Sequence, residues 1–164
     1  MNPFTVSTTI GLPREEVFEY LADIANHAEF SDHYLVDWHL TREDSYGMGA
    51  GARFRSKAPL SRFSWADMSF ADVQPPFRIV ARGRGGKYNR IKMLGVYEIH
   101  QGAGGTSRVE YTYETEPPLL SDHLMELIAG RAWTRRKAAR ALRRLRSILE
   151  DGQRRGEHVS IAAR

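Results

Sequence analysis

Residues 126–142, ELIAGRAWTRRKAARAL, carry the spacing of an amphipathic helix, and this helix decides how the rest of the chain is read. At about 100° per residue, Leu124, Leu127, Ile128, Ala138, Leu142, Leu145 and Leu149 share one face. Arg131 and Arg135 fall in the middle of that face. Charged side chains are rarely buried unless paired. The helix therefore faces something that needs a cation, or its stripe is broken there.

Upstream of this helix the pattern is that of strands. FTVSTTI (residues 4–10) alternates and is rich in β-branched residues, as an opening strand should be. LPREEVFEYLADIANHAEF (12–30) then reads as a helix with a second short helical turn after it, because Pro13 suits a first turn and Glu15 and Glu16 suit the positive end of the helix dipole. Six runs follow: LVDWHLTR, ARFRSKA, FSWADMSFADV, FRIVARGR, RIKMLGVYEIH and SRVEYTYETE. Turn signals GMGAG, PLSR, QPP, GGKYN and QGAGG separate them, so they predict an antiparallel meander. EPPLLSD breaks the sheet, with Ser121 or Asp122 as N-cap, and one long helix runs to about Asp151. These elements predict an α+β domain over residues 1–151: a seven-stranded curved antiparallel sheet around a long C-terminal helix, with two short helices after the first strand. Residues 152–164 read as a basic, loosely ordered tail.

Composition narrows the function classes. The chain has 164 residues and no cysteine, which excludes disulfides, thiolate nucleophiles and cysteine-held metals. No apolar run reaches the roughly 18 residues of a membrane span, and the N-terminus lacks the features of a signal peptide, so a cytoplasmic protein is expected. The net charge of +4 conceals an asymmetry. Residues 131–164 hold 11 Lys/Arg against 3 Asp/Glu, leaving 13 against 17 for residues 1–130.

STTIGLPREEVFEYLADIANHAEF (7–30), GMGAGARFR (47–55), DVQPPFRIV (72–80) and GGTSRVEYT (104–112), in this order, resemble the START-like SRPBCC superfamily, specifically its polyketide cyclase/dehydrase and lipid-transport branch. The resemblance covers residues 4–150 and implies the helix-grip fold, with a deep cavity between sheet and terminal helix that holds hydrophobic small molecules. Carriers, sensors and enzymes all occur in this superfamily, and it has no universal catalytic motif, so no catalytic residue is transferred.

A helix roofing such a cavity directs Arg131 and Arg135 into it or towards its mouth, where a guanidinium suits an anionic or carbonyl-bearing head. The alternative is structural: pairing with an inward acid such as Asp67, Asp72 or Glu114, or a stem buried below a solvated head. Leu124, Leu127 and Ile128 join the expected lining from the helix. Trp38, Phe54, Met68, Phe70, Met93, Tyr97, Tyr111 and Tyr113 join it from the strands, although residues 63–73 leave open whether the Trp65 or the Met68 phase faces inward.

His27, Asp32, His33, Asp37 and His39 crowd one connection, but their spacing does not match the iron-binding oxygenase branch of the superfamily. No metal or cofactor is expected. The cluster reads as a polar connection over the cavity entrance, with one histidine as a titratable lid group. Trp133, Arg136, Lys137, Arg140, Arg143 and Arg144 are assigned to the outer face of the long helix. That stripe offers a surface to a protein partner, an anionic membrane or a second copy in a homodimer; with one aromatic it is a poor platform for nucleic acid. Three functions are carried forward: a carrier or sensor of a hydrophobic ligand such as a lipid or polyketide-like compound, a cyclase/dehydratase-like enzyme on the same cavity, and an interaction module acting through the helix.

Overall fold

The computed structural model describes residues 1–58, 63–118 and 130–152. Ten helices and strands are formed among these residues: β1 (Phe4–Ile10), α1 (Arg14–Ala22), α2 (His27–Ser31), β2 (Leu35–Leu40), β3 (Gly51–Ser56), β4 (Trp65–Gln74), β5 (Arg78–Gly85), β6 (Ile91–Gln101), β7 (Ser107–Glu116) and α3 (Arg131–Asp151). The seven strands form one sheet in the order β1-β7-β6-β5-β4-β3-β2, antiparallel throughout. The meander from β2 to β7 is thus closed by β1, which returns beside β7 and not beside its sequence neighbour β2. The α+β helix-grip architecture expected from the sequence is the one observed.

Register explains the shape of the concave face. Cross-strand partners project to the same face, and the inward rows run Phe54, Ala66, Gly85; then Ala52, Met68, Gly83, Met93; then Phe70, Ala81, Gly95, Tyr113, Phe4; then Ile79, Tyr97, Tyr111, Val6. In the first three rows the β5 position is small (Gly85, Gly83 and Ala81), whereas in the fourth it is Ile79. At two positions on this face a Cβ would meet a close neighbour, backbone in one case and a side chain in the other. A Cβ on Gly83 would lie 2.4 Å from the Asp67 carbonyl oxygen, and one on Gly95 would lie 3.0 Å from the Tyr111 hydroxyl. Gly95 therefore leaves the space across which the Tyr111 ring lies.

The core under α1 and α3 is made of Phe18, Leu21, Ile24, Ile79, Ile99, Val109, Leu142 and Leu145, all nearly inaccessible to solvent. Each such side chain contributes about 1.5–3 kcal/mol on burial. On α3 the fully buried residues are Ala138, Ala141, Leu142, Leu145 and Ile148, and the helix packs against β1 and α2. Arg144 fastens this contact. Its guanidinium donates to the Asp32 carboxylate, to the Glu29 carbonyl oxygen at 3.1 Å and to His33 Nδ1 at 3.2 Å. His33 Nε2 in turn donates to the Lys137 carbonyl oxygen at 3.2 Å.

This placement corrects the expected surface role of Arg144: it is a half-buried tie between α2 and α3. Sequence periodicity missed it because the apolar stripe alone suggests one contact surface, whereas α2 packs along a second flank of the same helix. Arg136, Arg140 and Arg143 are exposed, as expected, and Lys137 is half-buried with its ammonium 5.7 Å from the Trp133 ring. Leu124, Leu127, Ile128, the cap candidates Ser121 and Asp122, and the tail beyond Gly152 lie outside the described residues.

Removing one partner of a partly buried ion pair leaves the other charge desolvated. Arg144→Met is therefore expected to lower unfolding free energy by about 2 kcal/mol in urea titration. A loss indistinguishable from that of Arg140→Met, an exposed neighbour, would show that the tie carries no stability.

Candidate functional site

Between the concave face, α2 and the first turns of α3 lies a cavity of about 480 Å³, within the range that accommodates drug-sized ligands. All eight strand residues expected to line it do so: Trp38, Phe54, Met68, Phe70, Met93, Tyr97, Tyr111 and Tyr113. The undecided phase of β4 resolves in favour of Ala66, Met68 and Phe70, which face inward. Trp65 is at the rim, with the Arg53 guanidinium 5.4 Å from its ring.

The helix contributes different residues from those expected. Arg131 and Arg135 are exposed and are absent from the lining, which takes Gly130, Trp133, Thr134 and Ala138 instead. Arg131 donates to the carbonyl oxygens of Asn2 at 3.4 Å and Pro3 at 3.1 Å, outside the cavity. Two neighbours decide this. At about 100° per residue, Trp133 is about 140° from Ala138, on the flank where α2 stands, whereas Arg131, only about 20° from Ala138, is in the first turn, where the carbonyls of the segment before β1 take its guanidinium. The ring of Trp133 meets that of Tyr34, 6.1 Å away and edge-on, at the cavity wall. Trp133 is thereby corrected from a surface residue to a lining residue.

The acids proposed as partners for these arginines also lie elsewhere: Asp67 pairs with Arg53 at 3.5 Å and Asp72 accepts from Gln74 at 2.7 Å. The five residues that suggested a metal disperse. Asp32 binds Arg144, Asp37 binds Arg55 at 2.6 Å, His33 holds the Lys137 carbonyl, and the ring of His39 is 6.3 Å from that of Trp65. Of the five, His27 alone enters the cavity wall.

His27 is the site residue that sequence reasoning placed in the wrong company. Its Nε2 donates to the Leu21 carbonyl oxygen at 2.8 Å, which leaves Nδ1 as an acceptor. Its ring packs against Phe30, Phe70 and, edge-on at 5.5 Å, Tyr97. Burial lowers its pKa from 6.5 to about 4, against the opposing pull of the Leu21 carbonyl and the Asp23 carboxylate. The imidazole is therefore neutral at neutral pH. The fivefold polar cluster in the sequence drew attention to a metal, and no periodic signal marks a histidine on so short a helix as inward-facing.

Beside His27 begins a group of phenols. Tyr97 and Tyr111 lie with ring centroids 4.5 Å apart, and Tyr113 follows 6.3 Å further along β7. Burial pushes the hydroxyl pKa values of Tyr34, Tyr97 and Tyr111 well above the ordinary value of 10, and their mutual proximity adds to the shift of Tyr97 and Tyr111. Among the described residues no hydrogen bond to these three hydroxyls is found. Facing an apolar cavity, the three phenols amount to open donors and acceptors. The cations of the site, Lys87 and Arg90, are at its mouth.

A family model described as polyketide cyclase/dehydrase and lipid transport matches residues 1–150. No curated protein matches the sequence. Among solved structures, TTHA0849 from Thermus thermophilus is 14% identical with a TM-score of 0.69, covering 93% of this chain and 99% of its own. A major latex-like protein from Panax ginseng is 9% identical with a TM-score of 0.66, covering 89% and 95%. DynU16, from the dynemicin biosynthetic locus, is 17% identical with a TM-score of 0.59 and covers 96% of this chain and 51% of its own. At these identities the likeness is one of fold.

The His27 pKa has a stability consequence whose sign is fixed. Between pH 6.5 and about 4 the unfolded chain binds a proton at this position and the folded one does not. Acidification through that window therefore favours unfolding, by roughly 3 kcal/mol in total. Urea midpoints measured across this range are expected to fall more steeply for the wild type than for His27→Gln. Parallel curves would place the histidine in water.

Proposed function

The chain belongs to the polyketide cyclase/dehydrase and lipid transport family, and from that premise we propose that it is a binding protein, a carrier or sensor, for a hydrophobic small molecule. Family and fold point to hydrophobic-ligand binding or to polyketide-cyclase-like activity. The observation that favours binding is the chemistry of the lining. Its titratable inner groups include one imidazole that stays neutral down to about pH 4 and three phenols held far above their usual pKa, and the serines and threonine beside them are neutral as well. General acid–base catalysis works best when the pKa lies near the working pH. Groups displaced this far make poor proton-transfer partners and good neutral hydrogen-bonding ones.

The ligand that fits is apolar over most of its surface and carries a hydroxyl or carbonyl towards Tyr97 and Tyr111. A formal negative charge on it belongs at the mouth, near Lys87 and Arg90, and not beneath the helix where Arg131 and Arg135 were expected to receive it. The cyclase reading keeps the same cavity and would need a bound substrate to bring His27 and a tyrosine into one hydrogen-bonded chain.

Nile red, which is apolar and carries a carbonyl, tests this reading directly. Wild-type protein is expected to bind one molecule per chain with a large rise in emission. Thr134 is half-buried on the cavity wall, so Thr134→Trp fills the space with little strain. Affinity for the dye should fall by more than about tenfold while the melting temperature changes little. Unchanged affinity in that variant would mean that the dye binds elsewhere.

A further inference from the structure

The mouth of the cavity carries an unusual surface. Phe63 is 52% exposed, Trp65 39% and Tyr88 85%, and Phe63 and Trp65 also belong to the lining. Tyr88 is at the tip of the β5–β6 hairpin with φ of 59°, followed by Asn89 at 52°. The left-handed region costs a residue with a side chain free energy that local structure must supply. Here that conformation holds a tyrosine out in solvent beside the opening.

Cations dominate this hairpin. From Arg82 to Lys92 it carries Arg82, Arg84, Lys87, Arg90 and Lys92 and no acid; Lys87 is beside the rings, while Arg82, Arg84 and Lys92 project from the face opposite the inward Gly83, Gly85 and Met93. Arg84 and Lys92 are direct cross-strand partners, an arrangement that works against stability. Among the described residues, Asp67 pairs with Arg53 and Glu116 with Lys92 at 3.4 Å. The Lys87 ammonium lies 5.8 Å from the Phe63 ring centroid and 5.1 Å from that of Tyr88, over both rings. A nucleic-acid base stacks on ring faces, and here the lysine occupies one face of each. Exposed aromatic rings with a lysine held beside them are instead the arrangement that suits a bilayer interface.

We propose that the cavity mouth docks on an anionic lipid bilayer, with Phe63, Trp65 and Tyr88 entering the headgroup layer and Lys87 meeting lipid phosphates. The proposal rests on the reading that the cavity binds a hydrophobic ligand. It adds the route: a ligand moving between bilayer and cavity through a docked mouth never exposes its apolar surface to water.

Sedimentation with vesicles tests it, using phosphatidylcholine alone and phosphatidylcholine mixed with phosphatidylglycerol. Wild-type protein is expected to partition onto the mixed vesicles and far less onto the neutral ones. Each cation near an anionic surface changes partitioning by about fivefold. Lys87→Gln should therefore weaken it by about that factor, and Tyr88→Ser by a similar one. Tyr88 is not part of the lining, so Tyr88→Ser should still bind Nile red as the wild type does. That combination, dye bound and vesicles lost, supports docking. Wild-type protein that binds Nile red but sediments with neither vesicle overturns docking and leaves the cavity reading standing, whereas protein that sediments without binding dye overturns the cavity reading. Partitioning unchanged in both variants overturns the proposed surface. Duplex oligonucleotide binding lost in Tyr88→Ser would assign the surface to nucleic acid, and a dimer lost in the same variant would assign it to a second copy; either outcome overturns the bilayer.

Discussion

A single helix cannot cover a seven-stranded sheet. Seven strands at about 4.8 Å spacing are about 29 Å across, while a helix with its side chains is about 10 Å wide. α3 packs against β1 and α2, and the sheet curves over the remaining distance. The small residues at the centre of the concave face, Ala66, Ala81, Gly83, Gly85 and Gly95, hold back the side chains that would otherwise fill the gap. The cavity follows from these two facts, and everything that the site can bind follows from what borders it.

Two layers of polarity divide that border. Deep in the cavity the polar groups are neutral, because burial raises the cost of charge on His27 and on the phenols. At the rim a charge remains in water, on Lys87. A ligand that satisfies both layers is amphiphilic, and its orientation is fixed by the difference. The same division separates the helix cations into two classes. Arg144 is committed to the α2 contact through Asp32, while Arg136, Arg140 and Arg143 stay solvated.

Much of the architecture was legible in the residues. Period-two runs marked every strand from β2 to β7 to within about two residues, and β7 was bounded correctly at Ser107 and Glu116. The eight bulky strand residues of the lining were legible for the same reason, since alternation states which residues share a face. The roof was not. Helical periodicity gives the angle between residues but not where the partners stand, and α2 occupies a flank of α3 that no apolar stripe announces. Trp133 and Arg144 were misplaced for that reason, and Arg131 because periodicity does not reveal the Asn2 and Pro3 carbonyls that take it. The hairpin tip was read as a turn from GGKYN, correctly; its juxtaposition with Phe63 across the mouth involves residues some two dozen positions apart in sequence.

By itself, then, the sequence determined the order and type of the elements, the two faces of each strand, and the absence of cysteine chemistry. Those properties are local: they depend on side-chain periodicity, turn residues and composition, which a chain carries without folding. Only the tertiary structure decided that His27 faces the cavity, that three phenols converge without partners among the described residues, and that the cations of the site stand at its mouth. These depend on distances between segments that share no local pattern, and such distances exist only once the sheet has curved and the helix has settled against it.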